Sequence, residues 1–269
     1  MLNFPILIPL PNAGFDPTEV SIPWSYLTAE KFKIVFATPE GQPAQCDIRM
    51  LTGKDLGLLK SVLMNDKNGR EAYHRLEQAA EFQRPISYAA IRPENYSAIV
   101  LPGGHDKPMK IYLESPILQQ TIVNFFANDK PVGAICHGTL LVGRSISEQT
   151  GRSVLFGRKT TGLTRIQELA AYYLTCLYLG DYYRTYPEKD QNHKKITMED
   201  ELKSYLKQPT DFIRGPNPLT AKRDNPTHLS KGFTVRDGNY LSARWPGDAH
   251  RFAAEFVTLL KQKLGWSKT

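Results

Sequence analysis

The sequence predicts an α/β fold in which helices cover both faces of a doubly wound, mainly parallel sheet. Short apolar segments of strand type alternate with longer segments of helical periodicity over the first 146 residues. This alternation is typical of parallel sheets, because parallel neighbours need a crossover connection that is usually a helix. With 269 residues, of which 41% are hydrophobic, the chain can bury a sizeable core.

Apolar runs of strand length predict the successive parallel strands. These runs cover residues 4–10, 32–37, 97–101 and 131–135. Helical periodicity between and after them predicts helices over 18–30, 115–128 and 139–146. Pro23 lies inside the first of these helices, where it predicts a kink or a late helix start.

Two polar or irregular stretches interrupt this alternation. Residues 55–82 predict one or two additional helices, and residues 181–231 are weakly patterned apart from a short helix over 198–206. We interpret both stretches as helical and loop insertions on one domain that covers residues 1–269.

The last part of the chain predicts a hairpin followed by a helix. Residues 232–243 read as two short strands, with Asp237 and Gly238 supplying the turn. Residues 248–264 form an amphipathic pattern that places Phe252 and Phe256 on one face of a helix.

The composition excludes several classes of partner. The formal net charge is +7, but lysine and arginine are scattered among acids, and the densest basic cluster, 189–195, is interrupted by uncharged residues. Nucleic-acid binding is normally marked by clustered charge, so none is predicted. No segment approaches the ~20 apolar residues that span a bilayer, and the N-terminus lacks the pattern of a signal peptide. We therefore expect a protein of the cytoplasm that does not bind membranes.

The cysteines and histidines do not form a metal-binding pattern. Cys46, Cys136 and Cys176 lie far apart without a C-x-x-C motif, which favours a reducing compartment. Most of the histidines are dispersed, so the sequence predicts neither a metal nor a cofactor. Cys46 and Cys176 are interpreted as structural.

Cys136 has the sequence surroundings of a nucleophile. It follows the apolar run 131–135, precedes a predicted helix and has Ala134 and Gly138 two positions to either side. Small neighbours allow the sharp strand-to-helix turn that exposes a nucleophilic side chain. The start of a helix also favours a thiolate, because its free N–H groups stabilise negative charge. These residues alone leave open a second interpretation, an inert thiol buried in the core.

Several segments resemble the DJ-1/PfpI superfamily, which shares its fold with class I glutamine amidotransferases. Residues 134–139 read Ala-Ile-Cys-His-Gly-Thr and resemble the superfamily's A-x-C-H-G signature, and residues 101–105, Leu-Pro-Gly-Gly-His, resemble its glycine turn. Residues 19–23 resemble its glutamate-containing first helix, 161–168 the T-G-F-T-x-x-x-E stretch of Hsp31-like members, and 237–239 its D-G-N hairpin. The resemblance covers nearly the whole chain and implies a flavodoxin-like sheet, closest to the Hsp31-like branch.

The resemblance implies a catalytic role for four side chains. Cys136 would be the nucleophile, Glu19 a protonated carboxyl beside its sulfur, and His137 the general acid and base. Glu168 would orient His137 as the third member of a Cys-His-acid triad, with Asp248 as a rival for that place.

Other residues are candidates to bind the substrate. The resemblance implies an oxyanion hole formed by the backbone N–H groups of Gly104 and His137, with Gly103 in the same turn. His105 could line the pocket. Residues 242–248, Ser-Ala-Arg-Trp-Pro-Gly-Asp, depart from the family pattern; Arg244 and Trp245 could reshape the pocket, and Arg244 is a candidate to bind a substrate carboxylate.

The function implied by the resemblance is glutathione-independent glyoxalase chemistry, in which methylglyoxal becomes lactate. Two alternatives remain open. One is a redox-sensing stress protein or holdase chaperone without turnover, and the other is an amide hydrolase or amidotransferase. Family likeness also implies a homodimer that acts on a small molecule.

Overall fold

A seven-stranded sheet lies at the centre of the computed structural model, which describes residues 5–184, 196–217 and 222–265. In these parts of the chain the strands are β1 Ile6–Pro9, β2 Ala13–Phe15, β3 Ile34–Thr38, β4 Gln45–Cys46, β5 Ile86–Ser87, β6 Ala98–Leu101, β7 Val132–Ile135, β8 Ile146–Ser147, β9 Arg152–Ser153, β10 Thr234–Asp237 and β11 Tyr240–Ala243.

Helices connect most of the strands. The α-helices of the described residues are α1 Pro17–Ala29, α2 Ile48–Thr52, α3 Lys60–Leu63, α4 Lys67–Leu76, α5 Ala80–Gln83, α6 Met109–Leu113, α7 Pro116–Ala127, α8 Gly138–Gly143, α9 Arg165–Leu179, α10 Met198–Tyr205 and α11 Ala249–Leu264. Short 3-10 helices cover Gly57–Leu59, Tyr88–Ala90, Pro93–Asn95, Tyr182–Arg184, Pro209–Asp211, Leu229–Lys231 and Pro246–Asp248.

The central sheet has the order β10-β11-β7-β6-β1-β3-β5. Neighbouring strands run parallel from β11 to β5, and the sheet is antiparallel only where β10 pairs with β11 in the C-terminal hairpin. The remaining strands form two small sheets, β2 with β4 and β8 with β9. The prediction of a doubly wound, mainly parallel sheet is confirmed.

Helices pack on both faces of this sheet. On one face α1 lies between α4 and α11, and α11 reaches β7, where the rings of Phe252 and Phe256 occupy the space beside Gly133. On the other face α7 and α8 pack together against β7. Both layers bury apolar side chains in one continuous core.

Most predicted elements are found with slightly different ends. Helix α1 continues through Pro23 without interruption, and α8 ends at Gly143, three residues earlier than predicted, because Ile146 enters the β8–β9 pair. Residues 13–15, which lie between the first predicted strand and the first predicted helix, form β2 and pair with β4. Phe4 and the basic cluster 189–195 lie outside the described residues.

The two insertions pack against the core elements. In the first, α4 lies on α1, and in the second, α10 packs against α8 and α9. The single-domain organisation of the chain remains a prediction. No helix of the described ranges combines the length and the apolar character needed to cross a membrane.

Candidate active site

Cys136 lies at a sharp turn between β7 and α8. Its φ of +54° is in the left-handed region, which a residue with a side chain rarely adopts. The turn is fixed on both sides: the Cys136 N–H donates to the Ala243 carbonyl of β11 at 3.1 Å, and the Cys136 carbonyl accepts from the Thr139 hydroxyl at 2.7 Å. The sheet and the helix therefore hold the sulfur in one place at the carboxyl edge of β7.

Two glycines allow other backbone segments to approach this turn. A Cβ on Gly138 would lie 2.0 Å from the Leu101 carbonyl oxygen, at the end of β6. A Cβ on Gly103 would lie 2.6 Å from the His137 nitrogen and 2.9 Å from Glu19 Oε2. The glycine turn after β6 is thus packed directly against Cys136, His137 and Glu19.

His137 stands beside the sulfur. Its Nδ1 lies 3.5 Å from Cys136 Sγ, and its ring packs edge to face on the His105 ring, with 4.8 Å between centroids. Burial lowers the pKa of His137 well below its ordinary value, with contributions from the charges of His105 and Arg144, and burial lowers the pKa of His105 to about 4. Both imidazoles are therefore neutral near pH 7, and His137 can accept a proton from the thiol.

Glu19 approaches the site from the first turn of α1. Its Oε2 accepts a hydrogen bond from the Gly103 N–H at 2.8 Å, and its Oε1 is buried without a hydrogen-bond partner. Burial, followed by the charge of Asp16, raises the pKa of Glu19 well above its usual range. Glu19 and Cys136 are close enough for each to shift the other's pKa. A protonated Glu19 has a hydrogen to donate toward the sulfur or toward a bound oxygen.

The thiol itself does not have the depressed pKa that the helix start suggested. Burial raises the pKa of Cys136 well above its ordinary value, and the charges of Glu19 and Asp16 act in the same direction. The His137 backbone N–H opposes this rise by a hydrogen bond to the sulfur, but removal from water outweighs it. Cys136 is therefore a neutral thiol, and His137 is the base adjacent to it.

The sulfur lies at the wall of a cavity of about 360 Å³. Most of the lining is apolar, and the predicted residues Glu19, Gly104, His105, Cys136 and Glu168 contribute to it. The other lining residues are Asp16, Met50, Val62, Leu63, Asn65, Leu163, Gln167, Ala170, Ala171, Leu174, Tyr183, Arg223, Trp245 and Pro246. The Cys136 thiol thus borders a space that a small molecule can occupy.

Glu168 lines this cavity but is not hydrogen-bonded to His137. Its Oε2 accepts from the Met198 N–H of α10 at 2.8 Å, and its Oε1 lies 4.0 Å from Arg184 Nε. Burial raises the pKa of Glu168 to about 7. The expected triad contact is therefore absent between these two described residues, because the Glu168 carboxyl caps the start of α10 instead.

Arg244 and Asp248 are bound to each other rather than to the site. Arg244 is completely buried, and its Nε and Nη2 donate to Asp248 at 2.8 and 2.9 Å, while Nη1 donates to the Pro216 carbonyl. The predictions that Arg244 binds a substrate and that Asp248 serves the imidazole are corrected, because the two charges satisfy each other away from the cavity. Trp245, the next residue in this extended segment, does line the cavity.

One group of side chains has the donor types of a metal site. The ligating atoms of His105, Cys136 and His137 lie within 4.8 Å of one another. Two imidazole nitrogens and one sulfur are ligands that zinc accepts. Two of these residues, Cys136 and His137, also belong to the candidate active site, and the prediction that the chain uses no metal remains a prediction.

Comparison with known proteins identifies the family. The sequence profile described as ThiJ/PfpI family-like matches residues 10–196, which is more than half of the chain. The chain belongs to the DJ-1/PfpI superfamily. The matched region ends before β10, β11 and α11, so these C-terminal elements of the DJ-1/PfpI chain lie outside it.

Individual relatives extend over different shares of the chain. It is 31% identical over 120 residues to an uncharacterised protein of Schizosaccharomyces pombe, C14C4.04, which covers 44% of this chain and 43% of that protein. It is 24% identical over 221 residues to deglycase TK1284 of Thermococcus kodakarensis, covering 77% of this chain and 93% of the relative. The crystal structure of glyoxalase III from Candida albicans is similar in fold, with a TM-score of 0.67 at 17% identity over 96% of this chain and 98% of the other.

Sequence reasoning missed several polar residues of the cavity. Asp16 caps α1 by accepting from the Thr18 and Glu19 N–H groups at 2.8 and 3.1 Å, and the Asp-Pro-Thr-Glu pattern of a helix start could have revealed it. Asn65 and Arg223 come from the two insertions, where no motif marks them.

Proposed function

We propose that this chain is a cysteine-dependent enzyme for small reactive carbonyl compounds, which converts α-oxoaldehydes such as methylglyoxal into α-hydroxy acids without glutathione. The observation that carries this proposal is a single cluster: a thiol at a turn, a neutral imidazole 3.5 Å from it and a buried carboxyl, with the thiol and the carboxyl in the lining of one cavity. The names of two relatives, a deglycase and a glyoxalase III, agree with carbonyl chemistry.

The first step is addition of the sulfur to the aldehyde carbon. The Cys136 thiol gives its proton to His137 Nδ1 as the C–S bond forms, and the former carbonyl oxygen takes that proton to complete a hemithioacetal. A neutral thiol and a neutral imidazole suit this transfer, because no ion pair has to be maintained in the buried resting site. Glu19, in its protonated form, donates a hydrogen bond to the developing oxyanion.

The second step moves hydrogen between the two carbons of the substrate. His137 removes the proton from the sulfur-bearing carbon and returns it to the neighbouring carbon. The hydroxyl proton moves to the oxygen of that neighbouring carbon, so that the hemithioacetal becomes a thioester of an α-hydroxy acid. Water then attacks the thioester, and the acid leaves with regeneration of the thiol. The net reaction adds one water to the α-oxoaldehyde and requires no external oxidant or reductant.

The decisive experiment is turnover by purified protein without glutathione. Wild-type protein is expected to consume methylglyoxal and to release lactate, as followed by proton NMR. Cys136→Ser should abolish turnover, and His137→Gln should lower kcat by about 10²–10⁴-fold, the usual contribution of a general acid or base.

Cys176→Ser is the matched control, since Cys176 lies on α9 outside the cavity lining. It is expected to retain full activity. Unchanged turnover by Cys136→Ser would eliminate the proposal.

A holdase is a second candidate, and one surface feature favours it. Helix α9 exposes an apolar stripe in which Leu177 is 99% and Tyr173 70% exposed, together with Ile166, Leu174 and Tyr178. Contiguous apolar surface of this kind commonly binds other proteins. Leu177→Glu should then weaken suppression of aggregation of an unfolded client, whereas the control Ile111→Glu, at a half-exposed position of α6, should not. Equal suppression by the two variants would argue against this role for α9.

The proposal also covers the oligomeric state of the protein and its location in the cell. The family likeness favours a homodimer, and the sequence pattern favours the cytoplasm; sedimentation of the purified protein measures the oligomeric state.

A further inference from the structure

The cavity is larger and more apolar than a three-carbon substrate requires. Its volume of about 360 Å³ is within the range of about 300–1,000 Å³ typical of ligand pockets. Much of the cavity wall is hydrocarbon, which is provided by Met50, Leu63, Leu163 and Leu174. Cys136 accounts for only a small part of the lining. A longer molecule would fill this space, with its carbonyl end at Cys136 and the rest of its chain along the apolar wall.

Arg223 is the only lysine or arginine among the described residues that line this cavity. Its Nη2 makes one long contact, 3.4 Å, to the Met64 carbonyl, and its Nη1 is buried without a hydrogen-bond partner. No ion pair within 4.0 Å joins Arg223 to an acid of the described chain, in contrast to the fully paired Arg244. A buried guanidinium donor without a partner is costly, and a ligand oxygen would remove that cost.

Two further cavity residues carry unsatisfied polar atoms near this end of the site. The guanidinium carbon of Arg223 lies 5.0 Å from the centre of the Trp245 ring, and Trp245 Nε1 is also buried without a partner. Asn65, 1% exposed, donates to Asp16 through Nδ2 and leaves Oδ1 unpaired. Unpaired donors and acceptors around one cavity indicate positions where a polar ligand completes the hydrogen bonding.

A different role for Arg223 would be to balance the charge of nearby acids. Its charge lowers the pKa of both Asp16 and Glu19, so it is close enough to influence the reaction centre. That role, however, leaves Nη1 without a hydrogen-bond acceptor. The two roles differ in their consequences, because charge balance affects every substrate alike, whereas ion pairing with the ligand affects only anionic substrates.

We propose that the cavity selects α-oxoaldehydes that carry a carboxylate at the end remote from the aldehyde, and that Arg223 pairs with that carboxylate. This inference rests on the carbonyl chemistry proposed above and names its substrate class. The planar guanidinium fork suits a carboxylate, to which it can donate two hydrogen bonds. The reaction is balanced as before: one water converts the α-oxoaldehyde to the α-hydroxy acid, and the remote carboxylate is unchanged.

The test compares two substrates that differ at the remote end, 4,5-dioxopentanoate and the uncharged 2-oxopentanal. The measured quantity is the ratio of their kcat/KM values, because an effect on Cys136 or Glu19 cancels in this ratio. Wild-type protein is expected to prefer the carboxylate. Arg223→Met should lower the ratio by about 10- to 100-fold, the loss expected for a charged hydrogen-bonded pair.

Two further variants serve as controls for the role of Arg223. Lys222→Met removes an exposed charge next to Arg223 and should leave the ratio unchanged, and Arg223→Lys keeps the charge without the fork and should give an intermediate ratio. Equal losses for both substrates in Arg223→Met, or an unchanged ratio, would overturn the inference while leaving the carbonyl chemistry intact.

A binding measurement separates this inference from failure of the proposed reaction. If wild-type protein turns over neither substrate, the reaction is refuted, and calorimetry with Cys136→Ser protein then decides the inference. The two ligands are the expected product 2-hydroxyglutarate and its one-carboxylate analogue 2-hydroxypentanoate. Tighter binding of 2-hydroxyglutarate that Arg223→Met removes supports the carboxylate site, and equal binding of the two ligands refutes it.

Discussion

At the scale of single residues, the site depends on glycines as much as on residues with reactive side chains. Cys136 adopts a positive φ, which costs of the order of 1–3 kcal/mol in a residue that is not glycine. The turn persists because its N–H and carbonyl are both bonded and because Gly103 and Gly138 leave room for the neighbouring backbone.

Gly103→Ala tests this packing. Its Cβ would lie 2.6 Å from the His137 nitrogen, so the backbone of the elbow has to move. We expect kcat/KM to fall on the order of 100-fold, as for a displacement of about 1 Å at a reacting centre, and stability to fall by about 1–3 kcal/mol. Steady-state kinetics and urea unfolding measure the two effects.

Gly151→Ala is the control, because Gly151 has a positive φ but open space around it. It should cost stability through backbone strain and leave catalysis unchanged. Full activity of Gly103→Ala would show that the elbow tolerates a displaced glycine turn.

Residues of the site were predictable to different degrees. Cys136, His137 and Glu19 stand in short motifs whose chemistry requires them to be close, and the structure brings them together. Arg244 and Arg223 illustrate the limit. Both are arginines near the end of the chain, and only three-dimensional packing shows that one is neutralised by Asp248 while the other faces the cavity.

At the scale of elements, α1 positions Glu19 through its N-terminal cap. Asp16 Oδ1 accepts hydrogen bonds from Thr18, Glu19 and Asn65, so one oxygen connects the helix start to the first insertion. The charge of Asp16 also raises the pKa of Glu19. The cap therefore has a mechanical and an electrostatic effect on the same carboxyl.

Two substitutions separate these effects. Asp16→Asn keeps an oxygen that can accept all three bonds, so its free energy of unfolding should stay within about 0.5 kcal/mol of wild type, while the pKa of Glu19 falls. Asp16→Ala loses the cap and should destabilise the protein by about 0.5–2 kcal/mol. Urea unfolding measures stability, and the pH dependence of kcat/KM reports the ionisation of the site. Equal destabilisation by both variants would contradict the capping role.

At the scale of the whole molecule, buried acids set the dependence of stability on pH. Burial raises the pKa of Asp16 to about 6 and the pKa values of Glu168 and Asp224 to about 7. Such acids keep their protons in the fold at a pH where the unfolded chain has lost them, so their contribution to stability is lost as pH rises toward 7. The lowered pKa values of His105, His137 and His250 act in the opposite direction, and this effect fades as pH rises above about 6.5.

Stability should therefore fall between pH 6.5 and 8, by about 1–2 kcal/mol in the free energy of unfolding. Glu168→Gln removes one of these titrations while its amide oxygen can still accept from the Met198 N–H, so this variant should lose less stability over the same range. Glu114→Gln, at an exposed helix end, is the control and should lose as much as wild type. Urea unfolding at both pH values gives the comparison, and a rise in wild-type stability would contradict the expected sign.

The central sheet was more predictable from the sequence than the short strands outside it. Apolar runs such as 97–101 and 131–135 have to be buried, and helices between them dictate parallel pairing, so the sheet followed from periodicity. Strand β2 was missed because its three residues contain Gly14 and carry no alternation, and its pairing with β4 arises from a contact distant in sequence.

The bond from the Cys136 N–H to the Ala243 carbonyl has a consequence for biosynthesis. Ala243 follows Cys136 by 107 positions, so a ribosome that adds about 5–20 residues per second finishes β11 roughly 5–20 s after the cysteine is made. During that interval β7 is an unprotected sheet edge and the thiol lacks its final support. A nascent or prematurely terminated chain would therefore carry Cys136 without the strand that fixes its turn, so its thiol would be more accessible than in the folded protein.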